Sequence, residues 1–156
     1  MTNELLKSEM VNMNDETFRQ KFFTTEGRIN RMTYLKRNLF LFFMIFATLF
    51  AIEFFGFIAD LSPAGINIIC NIAMILFLVP SFCLDVKRLH DLGKDSTLAK
   101  IFLGFSIFSA AYNWHLPIAI GLTPIEIVIS IASLGFAFYL LFARGEDNAN
   151  QYGTAQ

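Results

Sequence analysis

The sequence predicts an all-α integral membrane protein, a four-helix bundle of two transmembrane hairpins with both termini in the cytoplasm. Three observations lead there. Of 156 residues, 55% are hydrophobic and only 16% charged, where a soluble domain carries about 25% charged residues. The chain holds nineteen Phe, more than a water-facing domain of this length can hide, because surface dominates volume at this size. The apolar residues are gathered into runs near 20 residues long, and every Lys and Arg falls between or beyond alternate runs. Runs of that length match a hydrocarbon core of about 30 Å at about 1.5 Å per helical residue. An open sheet edge cannot face lipid, and the runs are too long and uniform for alternating barrel strands, so the spans are helices.

The elements follow in order. Residues 1–17 form a polar tail expected to be loosely ordered, and they lack the basic start and short apolar run of a signal peptide, so the first apolar run is kept as a span. Phe18, Phe22 and Phe23 among Arg19 and Lys21 predict a short helix lying in the membrane plane. The first span covers 39–58 and is broken only by Thr48 and Glu53. A turn with Asp60, Ser62, Pro63 and Gly65 leads to the second span, 66–84, in which Pro80 predicts a kink. A polar loop occupies 85–100. Spans three and four cover 98–114 and 125–142, around a connector with Pro117, Gly121 and Pro124. The third is the shortest, and a re-entrant hairpin is the alternative there. Together 18–156 make a single membrane domain.

Orientation comes from the basic residues. All twelve Lys and Arg lie in the N-terminal region, the central loop or the C-terminal tail, and none in the 59–65 turn or the 115–124 connector. The positive-inside rule then places both termini and the central loop in the cytoplasm, which requires an even number of spans. Tyr34 and Trp114 stand where interfacial anchors are expected. Small residues four apart, Ala47 with Ala51, Ser106 with Ala110 and Ser133 with Ala137, offer places for helices to approach. Cys70 and Cys83 read as small buried hydrophobes rather than a disulfide or metal pair. The net charge of −1 argues against nucleic acid as a partner.

Three polar motifs share the cytoplasmic side. The first runs from Thr24 to Tyr34, where Gly27 supplies a turn, a helix starts near Asn30, and Arg28 and Arg31 stand three apart, able to grip phosphate or to fix topology against anionic headgroups. The second, 85–95, packs three carboxylates, three basic groups and His90 into eleven residues. If the second helix continues through it, Asp85, Arg88 and Leu92 share one face and Lys87 and Asp91 another, giving ion pairs at spacings of three and four residues, with Gly93 as the stop. His90 beside Asp91 lacks a marked nucleophile, and Asp85, His90 and Asp91 do not define a coordination sphere, so neither a catalytic nor a metal site is assigned. The third motif follows the last span, with Gly145 and Gly153 bracketing a polar turn that contains Asn150 and Tyr152. Its acids are expected to answer the arginines, making one composite polar cap.

Within the membrane, Glu53 lies five residues before the end of the first span and Asn71 five residues after the start of the second. In an antiparallel hairpin they share a depth about 7.5 Å inside the outer boundary, with Asn67 one turn further out. A hydrogen bond from either asparagine to Glu53 is expected. An ionisable group in a span is also a candidate cation or proton site.

Gly27-Arg28-x-x-Arg31-x-x-Tyr34 before the first span, Arg88-Leu89-His90-Asp91 after the second, and Gly145 through Asn150-x-Tyr152-Gly153 after the last resemble the family of small bacterial inner-membrane proteins catalogued as domain of unknown function 805. The resemblance covers about 20–153. It implies a multi-pass protein of the bacterial cytoplasmic membrane with a few-helix bundle, and brings no reaction, substrate or cofactor. This chain departs from the family pattern at Leu35, where Trp is frequent, at Lys87 in place of an Arg, and at Thr97-Leu98-Ala99, which lacks a Trp-rich continuation.

The leading functional expectation is a non-enzymatic membrane component whose cap, built around Arg28, Arg31, Arg88, His90 and Asp91, contacts anionic lipid headgroups, a protein partner or a second copy of the chain. Two other classes stand beside it: a small transporter or channel component that uses Glu53, and a membrane-bound enzyme acting on lipid or phosphate groups through His90 and Asp91.

Overall fold

The computed structural model describes residues 17–113 and 124–153. Five helices occur among them: α1 (Phe18–Phe22), α2 (Arg31–Ile58), α3 (Pro63–Asp91), α4 (Thr97–Asn113) and α5 (Pro124–Phe142). The extended pairing among the described residues is a single bridge between Asn150 and Gly153. Residues 1–16, Trp114 and most of the connector expected at 115–124 lie outside the described residues.

The first three helices start where the sequence supplies a cap. Thr17 and Gln20 form a reciprocal capping box on α1, Asn30 caps α2 through the Thr33 amide, and Ser62 with Pro63 opens α3. Such side chains satisfy amide hydrogens that have no partner inside the helix. The α2–α3 turn contains Asp60 at φ 52°. Helix α3 runs through Pro80 without interruption and ends at Asp91, with Leu92 as its cap, so the polar loop expected from residue 85 is reduced to 92–96.

Helices α2, α3 and α5 are long and apolar enough to cross a membrane. At 28 and 29 residues, α2 and α3 reach about 42 Å, which exceeds a hydrocarbon core of about 30 Å. The excess lies at one end, as the extra turns 31–38 and 85–91. Helix α4 has 17 residues, about 25 Å, and is the short member foreseen for the third span. The two long helices are antiparallel, α4 returns beside α3, and α5 packs on α2, α3 and α4.

The buried core is gathered at the end where α2 begins and α3 ends, around Ile29, Tyr34, Leu84, Leu89, Phe136 and Leu140. Further along, the protein covers little of its own apolar surface: only 11% of each span's most apolar window is buried. Phe43, Phe46, Phe50 and Phe57 stand exposed along α2. A soluble monomer does not show apolar surface on this scale, and lipid is the solvent that suits it. Ring centroids 5.4 Å apart in Phe22 and Phe40 hold α1 against the first half of α2.

Two expectations about side chains fail. Tyr34 is not an anchor at the lipid interface; it is buried and its hydroxyl donates to Asp85 Oδ1 at 2.8 Å. Nor do the asparagines of α3 bond to Glu53. Asn71 Nδ2 donates to the backbone and side-chain oxygens of Asn67, both at 2.9 Å, because a partner one turn away on the same helix is closer at hand than one on α2. Glu53 is exposed on the C-terminal part of α2. Of the paired small residues, Ala47 and Ala51 line a shallow groove on the outside of α2, whereas Ser106, Ser133 and Ala137 face a cavity between helices.

Candidate functional site: the polar cap

The three polar motifs do meet. They converge on the last five residues of α3, of which the final four have carbonyls without a partner inside the helix. The Lys87 carbonyl accepts from the Ile29 amide at 3.4 Å, and the Asp91 carbonyl from the Glu146 amide at 2.8 Å. Asn150 Nδ2 donates to the His90 carbonyl at 3.0 Å. One helix end thus orders a segment upstream of α2 and another downstream of α5.

Arg28 sits at the centre and is 2% exposed. Its guanidinium donates to Asp91 Oδ1 at 3.2–3.3 Å, to the Glu146 carbonyl at 2.5 Å, the Asn148 carbonyl at 2.8 Å and the Gly153 carbonyl at 3.2 Å. A planar group with five donors is suited to gathering carbonyls that point inward from a bent segment. Gly27, at φ 86°, makes the turn that delivers it, a conformation costly for any residue with a Cβ.

Arg88, 1% exposed, takes the other side of Asp91. It pairs with Asp91 Oδ2 and donates to the carbonyls of Leu140 at 2.7 Å and Ala143 at 2.5 Å, at the end of α5. Two cations share one carboxylate, and the remaining positive charge faces carbonyls at the C-terminal ends of α3 and α5, where the helix dipoles are negative. Among the buried side-chain nitrogens and oxygens described, none lacks a hydrogen-bond partner. Lys87, also buried, reaches the Gln20 carbonyl and so ties α1 to α3. The ion pairing foreseen on α3 is therefore corrected in its partners. Asp91 pairs with Arg88 one turn before it and with Arg28, while Lys87 turns to a carbonyl.

His90 and Asp91 do not face each other as a dyad. The His90 ring stacks on Tyr152 with centroids 3.8 Å apart and planes at 3°, and its Nδ1–H donates to the Gly27 carbonyl at 3.3 Å. Burial holds this imidazole below its ordinary pKa, and the Gly27 bond opposes that in part. In the loop after α3, the Thr97 hydroxyl bonds the Asp95 carboxylate at 2.5 Å and holds it below the usual range. The acids of the third motif do not answer the arginines either. Asp147 pairs at 2.6 Å with Arg144 in its own exposed segment, Glu146 Oε2 accepts from Asn150 at 2.8 Å, and the arginines take backbone oxygens instead. Gly145 leaves space for Asp91: a Cβ there would overlap the carboxylate.

Arg31 is the exception among the arginines of the first two motifs. It is exposed and, with Asn30, Arg144 and Asp147, lines an open cleft of about 560 Å³ over the Arg88–Asp91 pair. Among the described residues no group of three His, Cys, Asp or Glu is placed to hold a metal ion. The sequence reading singled out neither Asp85 as the partner of Tyr34 nor Lys87 as a tie to α1. Their signal was charge in the last turns of a helix otherwise apolar, where a polar group needs a partner.

All-helical, with three helices able to cross a membrane and a latch that ties both flanking segments to one helix end, the chain has the build of a multi-pass membrane protein. It belongs to the family DUF805, described as a protein family of unknown function, whose model matches residues 22–154. The match encloses all three motifs. No curated protein and no solved structure gives a match.

Proposed function

We propose that the chain is a four-span protein of the bacterial cytoplasmic membrane, with its latch on the cytoplasmic side, that acts without catalysis by holding anionic lipid headgroups at the rim of the latch. The observation that carries this reading is the division of labour among the arginines. Arg28 and Arg88 are buried and fully occupied, so they hold the fold together, while Arg31 and Arg144 are exposed around the open cleft. Lys36, Lys94 and Lys100 lie exposed at the same end, and the turn at the opposite end carries Asp60 and no cation. A cationic end next to a negative cytoplasmic leaflet gains about 1 kcal/mol per basic residue near the surface.

The test is native mass spectrometry of the chain released with its surrounding lipid. Replacing Arg31 and Arg144 together by Ala removes about 2 kcal/mol of headgroup attraction, a drop of about thirtyfold in retained anionic lipid, and leaves folding unchanged. Equal retention in wild type and double variant would overturn the reading. A protein partner or a second copy that leaves with the two arginines would name a different occupant and overturn it as well. Reporter fusions at positions 62 and 95 test the orientation, with only the second expected on the cytoplasmic side.

A further inference from the structure

Beneath the latch, a cavity of about 210 Å³ lies between α2, α3, α4 and α5. Its polar wall comes from Tyr34, Asn38, Ser81, Asp85, Ser106 and Ser133, one or two from each helix. Phe82, Phe102 and Phe136 also line it, the last two stacked with centroids 4.2 Å apart. None of this takes part in the latch or in the headgroup cleft.

Asp85 is the unusual member. Its Oδ1 accepts from Tyr34, and Oδ2 has no donor among the described residues. Arg88, one turn further along α3, has its donors directed to Asp91, Leu140 and Ala143, and Lys87 points to α1. No basic side chain lines the cavity. A carboxylate with one hydrogen bond in a largely apolar surrounding stays ionised only beside a counter-charge and otherwise takes up a proton, so a cation in the cavity would stabilise its charged form. Ser81 and Ser133 have no hydrogen-bond partner among the described residues, so two hydroxyls at the cavity wall are open to a ligand. Aromatic faces beside a carboxylate form the combination that attracts a cation with an apolar body.

We propose that this cavity binds a small organic ammonium, with its N–H groups donating to Asp85 and the serine hydroxyls and its alkyl part lying against Phe102 and Phe136. The volume admits a ligand of a few heavy atoms, well below the usual range of about 300–1,000 Å³ for drug-sized pockets. The inference does not rest on headgroup binding, since the two sites share no residue.

The full chain in nanodiscs of zwitterionic lipid is titrated with n-butylammonium, followed by saturation-transfer NMR and calorimetry, with n-butanol and sodium as comparison probes. Saturable butylammonium binding is expected, weakened at least about tenfold by Asp85→Asn, the scale of one charge-assisted hydrogen bond, and absent for n-butanol. Ser133→Leu fills the cavity while keeping Asp85, so it should also abolish binding, and it carries the test if Asp85→Asn does not fold. Butylammonium binding that neither variant weakens would overturn the proposal. So would displacement by an equal concentration of sodium, which would make this an inorganic cation site, and so would the absence of any saturable signal.

Discussion

Replacing Asp91 by Asn keeps the shape of the side chain and removes the one negative charge between two buried guanidinium groups. In the wild type, Asp91 receives Arg28 on one oxygen and Arg88 on the other. An Asn there accepts on one side only and turns an amide donor toward the other arginine. Breaking a buried ion pair by removing one partner costs about 3–5 kcal/mol, because an uncompensated charge is left behind. The carbonyls of Leu140, Ala143, Glu146 and Asn148 remain around the arginines, so the lower end applies, about 3 kcal/mol. Local opening of the latch should then rise about a hundredfold, since every 1.4 kcal/mol or so is a factor of ten. Hydrogen exchange in detergent measures it. The Glu146 amide, bonded to the Asp91 carbonyl at 2.8 Å, and the rest of 144–153 should exchange about a hundredfold faster, while the interior of α2 keeps its protection. Unchanged exchange at 144–153 with a stability loss under about 1 kcal/mol would refute the account of Asp91 as the centre of the latch.

Gly145→Ala should destabilise by about 1–3 kcal/mol, the usual cost of forcing extra volume into a packed site, seen as a lower unfolding midpoint; a neutral result would mean that the segment after α5 shifts freely. Tyr34→Phe removes the hydroxyl bonded to Asp85 and should cost about 1–3 kcal/mol by leaving a half-buried acceptor without its donor, read by the same unfolding assay. His90 is held neutral in the folded state below its ordinary pKa. The stability it contributes is present above the ordinary histidine range, about 6.5, and is lost as pH falls through the lower folded value. Thermal unfolding between pH 7 and 5 should therefore show a smaller acid loss in His90→Gln than in wild type, and parallel losses would place the acid sensitivity elsewhere.

The helices were legible in the sequence because lipid leaves so few choices. Apolar runs bounded by Asn30, Ser62 and Pro63 indicate where helices begin, and those residues do cap α2 and α3. The convergence of the three motifs was legible too, since each lies at the end of a span on the side that holds the cations. What stayed hidden was the chemistry inside the cap. A sequence shows that Arg28 carries five donors, and says nothing of whether they face phosphate or the carbonyls of residues 146, 148 and 153, more than a hundred positions away. Motif spacing put Arg28 and Arg31 together as a pair, and the fold separates them: Gly27 turns Arg28 inward before the helix begins, whereas Arg31 is already the first residue of α2 and faces out.

That separation has a consequence for how the family's motif residues divide between fold and function. Arg28, Arg88, Asp91, Asn150 and Gly145 commit their bonding capacity or their space to contacts within the latch, and replacing any of them loosens the latch before it touches a ligand. A phenotype from such a variant therefore reports folding. Arg31 differs because its exposed guanidinium has no bonding partner among the described residues, and Asp85 differs because one of its oxygens faces a cavity. Both can be changed while the Arg28–Asp91–Arg88 cluster stays intact, Arg31 to test the membrane surface and Asp85 to test the space between the helices. If the Arg31→Ala and Asp85→Asn chains keep wild-type exchange in 144–153, any loss of binding they show belongs to a site and not to the scaffold.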